Sequence, residues 1–223
     1  MFVRRFCFSL ILILCSVAGY GDDVGSGARK FAQMGAELPT ANVYRTASGA
    51  PGHAYWQQQA DYKIDVRLDE SKRAITGSET ISYRNNSPDT LRYIWIQLDQ
   101  NRFADNSLDE MSAAESSSED RLSYYRVREE QSFADNQHGY RISLVADGRG
   151  KVLPYQIVDT MMRIDLPAPL KTGKSVSVQI DWSFNIIEEV AIGGRGGYEY
   201  FEETDTNIFF LAQWFPRLAA YTD

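Results

Sequence analysis

From Asp61 to Leu68 the chain alternates strictly. Tyr62, Ile64, Val66 and Leu68 fall on one side, and Asp61, Lys63, Asp65 and Arg67 on the other. A period of two is the pattern of a half-buried β-strand, whose successive side chains point to opposite faces. Asp69 to Arg73 is polar and predicts a turn. The return segment, Ala74 to Arg84, sets Ile75, Ile81 and Tyr83 against Thr76, Ser78, Thr80 and Ser82. Together the two segments predict an antiparallel hairpin, with Gly77 marking a bulge or a close approach.

After the turn formers Asn85-Asn86-Ser87-Pro88-Asp89, Leu91 to Leu98 carries Tyr93 and Trp95 on one side and Ile94, Ile96 and Leu98 on the other. Apolar residues on both faces predict a central strand. Strand signals resume at Tyr140, Ile142 and Leu144, break at Asp147-Gly148-Arg149-Gly150, and continue through Val152 to Val158 and Met161 to Leu166, with Pro167, Pro169 and Gly173 as a turn. Val176, Val178, Ile180, Trp182, Phe184 and Ile186 then alternate without error with polar residues, so one face is core and the other faces water. Finally Ile208 to Ala212 reads as a buried strand that delivers Gln213-Trp214-Phe215-Pro216-Arg217 to a loop at the edge of a cleft. Many short strands and no long amphipathic helix predict an all-β domain of two packed or saddle-shaped antiparallel sheets over residues 55–223. No internal repeat is evident.

The ends and one insertion differ in composition. Arg4 and Arg5, the apolar run Phe6 to Val17 and the small residues Val17-Ala18-Gly19 predict a signal peptide over residues 1–21, hence an exported, periplasmic or secreted protein. That run is shorter than the about 20 residues a membrane span needs, and no second such run follows. Leu14 before Cys15 lacks the small side chain expected of a lipoprotein cleavage site. Residues 22–54 read as a lead-in arm or linker with a short helix around Ala28 to Gly35. Residues from about 104 to 137 read as a flexible acidic insertion. Between Asp105 and Asp120 it holds six acids, five serines and no basic residue, too little apolar surface to offset the entropy of ordering.

Both cysteines, Cys7 and Cys15, lie in the signal segment, so the exported chain has no thiol for a disulfide, a nucleophile or a metal. Without Arg4 and Arg5 it carries 21 Lys and Arg against 30 Asp and Glu, a formal charge of −9. That sign, with no basic stripe, speaks against nucleic acid as a partner.

Few constellations carry chemistry. His53 and His138 have no second histidine at helical spacing, which argues against an imidazole zinc site and for turn or surface positions. No Gly-x-Ser-x-Gly elbow occurs. Gly193-Gly194-Arg195-Gly196-Gly197 has the makings of an anion cradle, but no helix follows it, which favours a flexible loop. Glu199, Glu202, Glu203 and Asp205 match no calcium loop and read as a solvated face, with a carboxylate hydrolase using Glu199 and Glu202 as a remote alternative. Trp95, Trp182 and Trp214 are candidates for a sugar-stacking platform, although Trp182 lies on the core face of its strand.

The order of these pieces resembles a known domain. The hairpin Asp61-Tyr-Lys-Ile-Asp-Val-Arg-Leu-Asp through Ile75-Thr-Gly-Ser-Glu-Thr-Ile-Ser-Tyr-Arg-Asn-Asn-Ser-Pro-Asp, the strand Ile94-Trp-Ile-Gln-Leu-Asp, and Pro169-Leu-Lys-Thr-Gly-Lys before the strand that alternates without error resemble the N-terminal β domain of the aminopeptidase N family of zinc metallopeptidases, the gluzincins. The resemblance runs from about Asp61 to Asp223. It implies a domain that closes one side of an active site and contributes a glutamine to hold the free amino end of a peptide substrate. Ala212-Gln213-Trp214-Phe215-Pro216 resembles the family's Thr-Gln-aromatic-Glu-Pro segment, which makes Gln213 the substrate-binding residue. Phe215 stands where many members carry an amine-binding glutamate.

Family catalysis uses a His-Glu-x-x-His helix with a downstream glutamate on zinc, and a Gly-x-Met-Glu-Asn strand; neither occurs in these 223 residues. The expectation is a fragment cut short before the catalytic domain. It would bind no cofactor and hydrolyse nothing alone, and the zinc would reside in the missing domain. The alternative is a secreted β-sandwich module that binds protein or glycan without catalysis.

Overall fold

The computed structural model describes residues 41–104, 107–108, 123–124, 127, 137–189 and 196–222. The signal segment, the helix around Ala28 to Gly35, most of the acidic insertion and Gly193 to Arg195 lie outside the described residues. The chain divides into two units, Met1–His53 and Ala54–Asp223. In the first, Asn42 Oδ1 accepts the Tyr44 and Arg45 N–H groups at 2.8 Å, and Arg45 bridges to Pro51 around a turn.

The second unit is antiparallel β, as the alternation predicts. Its strands are β1 (Gln59–Asp69), β2 (Ala74–Arg84), β3 (Leu91–Gln97), β4 (Arg141–Asp147), β5 (Tyr155–Val158), β6 (Met161–Leu170), β7 (Ser175–Asn185), β8 (Gly196–Phe201), β9 (Thr206–Leu211) and β10 (Arg217–Leu218), with a 3-10 helix at Asp99–Phe103. One sheet has the order β1-β2-β7-β4, the other β10-β3-β6-β5, and β8 and β9 form a hairpin. The two sheets make a sandwich.

The β1–β2 register runs unbroken from Gln59↔Arg84 to Asp69↔Ala74, and β7 continues it from Ala74↔Asn185 to Arg84↔Ser175. In β7 the alternation holds: Val178, Ile180, Trp182 and Phe184 are buried. Gly77 is therefore no bulge. It is a close approach, because a Cβ built there would fall 2.6 Å from Trp182 Cε2 and 2.8 Å from Cη2. The Asn85 turn carries the chain from the first sheet to the second. Buried Asn85 donates to the Asp89 and Leu170 carbonyls at 2.7 and 3.0 Å and accepts from Gln58, the Ser87 N–H and the Ser87 hydroxyl.

Three details stand out. β3 is central as expected, between β10 and β6, with Ile94 and Ile96 buried and Tyr93 and Trp95 exposed on the outer face, the Arg163 guanidinium 4.1 Å above the Tyr93 ring. Alternation shows that two sides are apolar; it does not supply a layer for each. Second, β6 continues past Pro167 and Pro169 to Leu170, at the place where the register with β3 shifts between Leu91 and Tyr93. Proline lacks a ladder donor and is tolerated at such irregularities. Third, β9 is half exposed rather than buried, with Ile208 and Phe210 open and Phe209 and Leu211 packed on the core. Among the described residues it pairs with β8 alone.

Candidate functional site

The segment after β9 is where chain direction, packing and exposure combine. Phe209 and Leu211 turn inward, Ala212 and Gln213 are exposed, and Trp214, Phe215 and Pro216 turn inward again. To make that reversal Gln213 takes φ 52°, a left-handed conformation that a side chain with a Cβ disfavours. The strain is held by contacts on both sides. Gln100 Nε2 donates to the Ala212 and Gln213 carbonyls at 3.3 Å, and the Tyr140 hydroxyl donates to the Gln213 carbonyl at 3.4 Å. Beyond it, Trp214 packs on Trp182 with ring centroids 6.0 Å apart and on Phe215 at 5.1 Å. Phe215 meets Tyr62 edge-on at 5.6 Å.

The far end is fixed to the second sheet. Arg217 and Leu218 pair with Gln97 and Ile96, and the Ala219 N–H donates to the Trp95 carbonyl at 2.9 Å. Arg217 Nη2 reaches Asp99 Oδ2 at 2.7 Å, with Nε on the same oxygen at 3.2 Å. The Leu218 N–H donates to the Tyr62 hydroxyl at 2.9 Å. Burial, the largest influence on each, raises the Tyr62 and Tyr140 phenols above their ordinary range, so both stay neutral hydrogen-bonding groups. The outcome is an exposed Gln213 side chain on a backbone pinned from two sheets. Because the Arg217–Asp99 pair is partly exposed, Asp99→Ala is expected to lower stability by only about 1 kcal/mol, read by urea denaturation.

The other sequence candidates do not converge on this segment as chemistry. Trp182 is buried in the core, stacked with Phe184 at 5.9 Å, and Trp95 is on the opposite face of the second sheet, so Trp95, Trp182 and Trp214 form no platform. Glu199, Glu202, Glu203 and Asp205 are exposed on the β8–β9 hairpin, where Asp205 accepts the Tyr200 hydroxyl at 2.9 Å. His138 Nδ1 lies 3.2 Å from the Asn185 carbonyl, and His53 is exposed. Among the described residues no three His, Cys, Asp or Glu side chains are grouped to hold a metal ion. Zinc therefore has no fitting donor set among them. A groove of about 280 Å³ runs along Tyr83, Tyr93, Trp95 and residues 218–221, but Gln213 does not line it.

Several residues of the site carried no individual signal. Gln100 and Tyr140 serve Gln213 from distant parts of the chain, and nothing in local spacing marks them. Glu79 did leave a trace, as the acid standing in phase with Ile75, Ile81 and Tyr83 on the apolar side of β2. It is 1% exposed, and burial pushes its carboxyl up to about 8.

No protein-family model matches this sequence, and no curated protein does. Among solved structures, an M1 zinc metallopeptidase from Deinococcus radiodurans is similar at 11% identity and a TM-score of 0.37, over 61% of this chain and 22% of its own. A two-domain M1 zinc metallopeptidase bound to L-arginine is similar at 11% identity and a TM-score of 0.38, over 67% of this chain and 26% of its own. This chain thus spans about a quarter of the length of those proteins. Similarity at this level does not establish a shared activity.

Proposed function

We propose that this chain is the substrate-positioning N-terminal domain of an exported zinc metallopeptidase of the aminopeptidase N type. The observation that carries the reading is Gln213. The family resemblance makes it the substrate glutamine, and what supports that reading is its left-handed backbone conformation at φ 52°, its exposed side chain and its carbonyl held by Gln100 and Tyr140. Strained non-glycine residues concentrate where a side chain must be aimed. The Gln213 amide oxygen would accept a hydrogen bond from the substrate's ammonium group, orienting the peptide's amino end. Zinc, the general base and the oxyanion partner would come from a further domain of the kind the resemblance implies, since no His-Glu-x-x-His segment occurs in this sequence.

Gln213→Gly separates strain from function. Glycine accepts the positive φ, so the variant is expected to match or exceed wild-type stability by up to about 1 kcal/mol. It also removes a hydrogen bond to a charged group, and in the full-length enzyme kcat/KM for free peptides is expected to fall at least about tenfold. Steady-state kinetics with free and N-acetylated peptides check this, and equal loss on both would overturn the reading. The reading frame beyond Asp223 is expected to encode a His-Glu-x-x-His helix.

A second reading, a secreted module that binds protein or glycan, is favoured by the exposed Tyr93–Trp95 pair, whose rings lie 6.3 Å apart. Retention of the isolated chain on immobilised glycan, lost in Trp95→Ala, would support it.

A further inference from the structure

The floor beneath the Gln213 segment holds one ionisable group that the proposed function does not use. Glu79 lies on the inner face of β2, and neither carboxyl oxygen has a hydrogen-bond partner among the described residues. The register fixes its surroundings. Ile64 of β1 and Ile180 of β7 stand directly across from it, and one same-face step along, opposite Ile81 and Gly77, come Tyr62 and Trp182. Such diagonal neighbours are within reach of aromatic side chains. Those two rings carry the segment: Phe215 rests on Tyr62 and Trp214 on Trp182. The two residues after Gln213 are therefore seated on either side of Glu79.

We propose that Glu79 is a positioning residue for Gln213, keeping the segment seated on Tyr62 and Trp182 while its carboxyl is uncharged and loosening it when ionised. The inference rests on Gln213 as the substrate contact. The titratable groups that feel Glu79 are the phenols of Tyr62 from β1 and Tyr140 ahead of β4; Arg217 from β10 acts on both phenols, and Asp99 from the 3-10 helix on Tyr140. Glu79 adds to the electrostatic load on both phenols, which hold the two ends of the segment. Arg217 is the cation of this set, and it is already engaged by Asp99 at 2.7 Å. The facing residues of β7, Ile180 and Trp182, bring no charge. A carboxylate forming in such an apolar floor must be paired or hydrated. Lifting Trp214 and Phe215 is the route by which water reaches it, and Gln213 moves with them.

The test is hydrogen exchange of the full chain over residues 212–219, comparing wild type with Glu79→Gln. At pH 4 the two are expected to exchange alike. An opened segment returns the carboxyl toward its ordinary value of 4.5 while the seated one holds it at about 8, so the wild type is expected to exchange progressively faster from about pH 5 upward and at least about tenfold faster at pH 9. Equal rates at pH 9 would overturn the proposal. Glu79→Met, which also cannot ionise, gives the same comparison should the glutamine variant fold poorly. Exchange is read without substrate, so unchanged kinetics in Gln213→Gly would remove the substrate role of Gln213 and leave the Glu79 result standing.

Discussion

Wild-type stability is expected to fall by about 1.4 kcal/mol per pH unit relative to Glu79→Gln across the window from about pH 5 to pH 8. The sign follows from which state ionises first. In the unfolded chain Glu79 titrates near the ordinary value of 4.5, whereas burial holds the folded carboxyl up at about 8. Between those values the unfolded state has released its proton and the folded state has not, so raising the pH favours unfolding. The contribution is fully present below the unfolded value and is lost as pH rises through the folded one. Over the whole window this amounts to as much as about 5 kcal/mol, less wherever water reaches the carboxyl, in a domain whose total stability is of order 5–15 kcal/mol. Urea denaturation of both chains at pH 5, 6.5 and 8 measures it. Parallel stability curves would remove Glu79 as the cause.

The second large effect is steric. Gly77→Ala puts a methyl 2.6 Å from Trp182 Cε2, closer than carbon atoms approach in a folded protein, and neither β2 nor β7 can give way without breaking an unbroken register. Trp182 is the member that must move, and it is stacked with Phe184 and met edge-on by Tyr140 at 5.7 Å. The expected cost is about 1–3 kcal/mol. Displacing Trp182 also disturbs Trp214, so the damage extends to Gln213. Trp182→Phe, which shortens the ring, is expected to recover part of the loss in the double variant. Strict additivity of the two single changes would argue that Gly77 and Trp182 are not in contact.

Much of this fold is legible in the chain because alternation is a direct record of two-sidedness. β2 could be placed to the residue, and β1 and β7 to within one or two, although on the apolar side of β1 Tyr62 and Ile64 are half-buried and Val66 and Leu68 are exposed. Alternation fails where a strand has more apolar faces than layers to cover them, as at Tyr93 and Trp95. It fails also where an irregular register lets Pro167 and Pro169 remain in a strand. The site divides in the same way. Gln213 could be picked out from its flanking residues and the family they resemble. Its left-handed backbone and its anchors, Gln100, Tyr140 and the Arg217–Asp99 pair, depend on contacts between distant parts of the chain, which no local pattern encodes.

The segment from Gln213 to Leu218 touches both layers of the sandwich: its aromatic rings rest on Tyr62 and Trp182 of one sheet, and its last two residues pair with β3 of the other. The two halves of that seat come together only when the two sheets have closed on each other. The segment is therefore among the last parts of the chain to reach its native conformation, since its contacts require sequence-distant strands that are assembled already. In refolding experiments Trp214 should acquire its native environment after Trp182 does. A chain arrested before that point would have a formed hydrophobic core and no oriented Gln213.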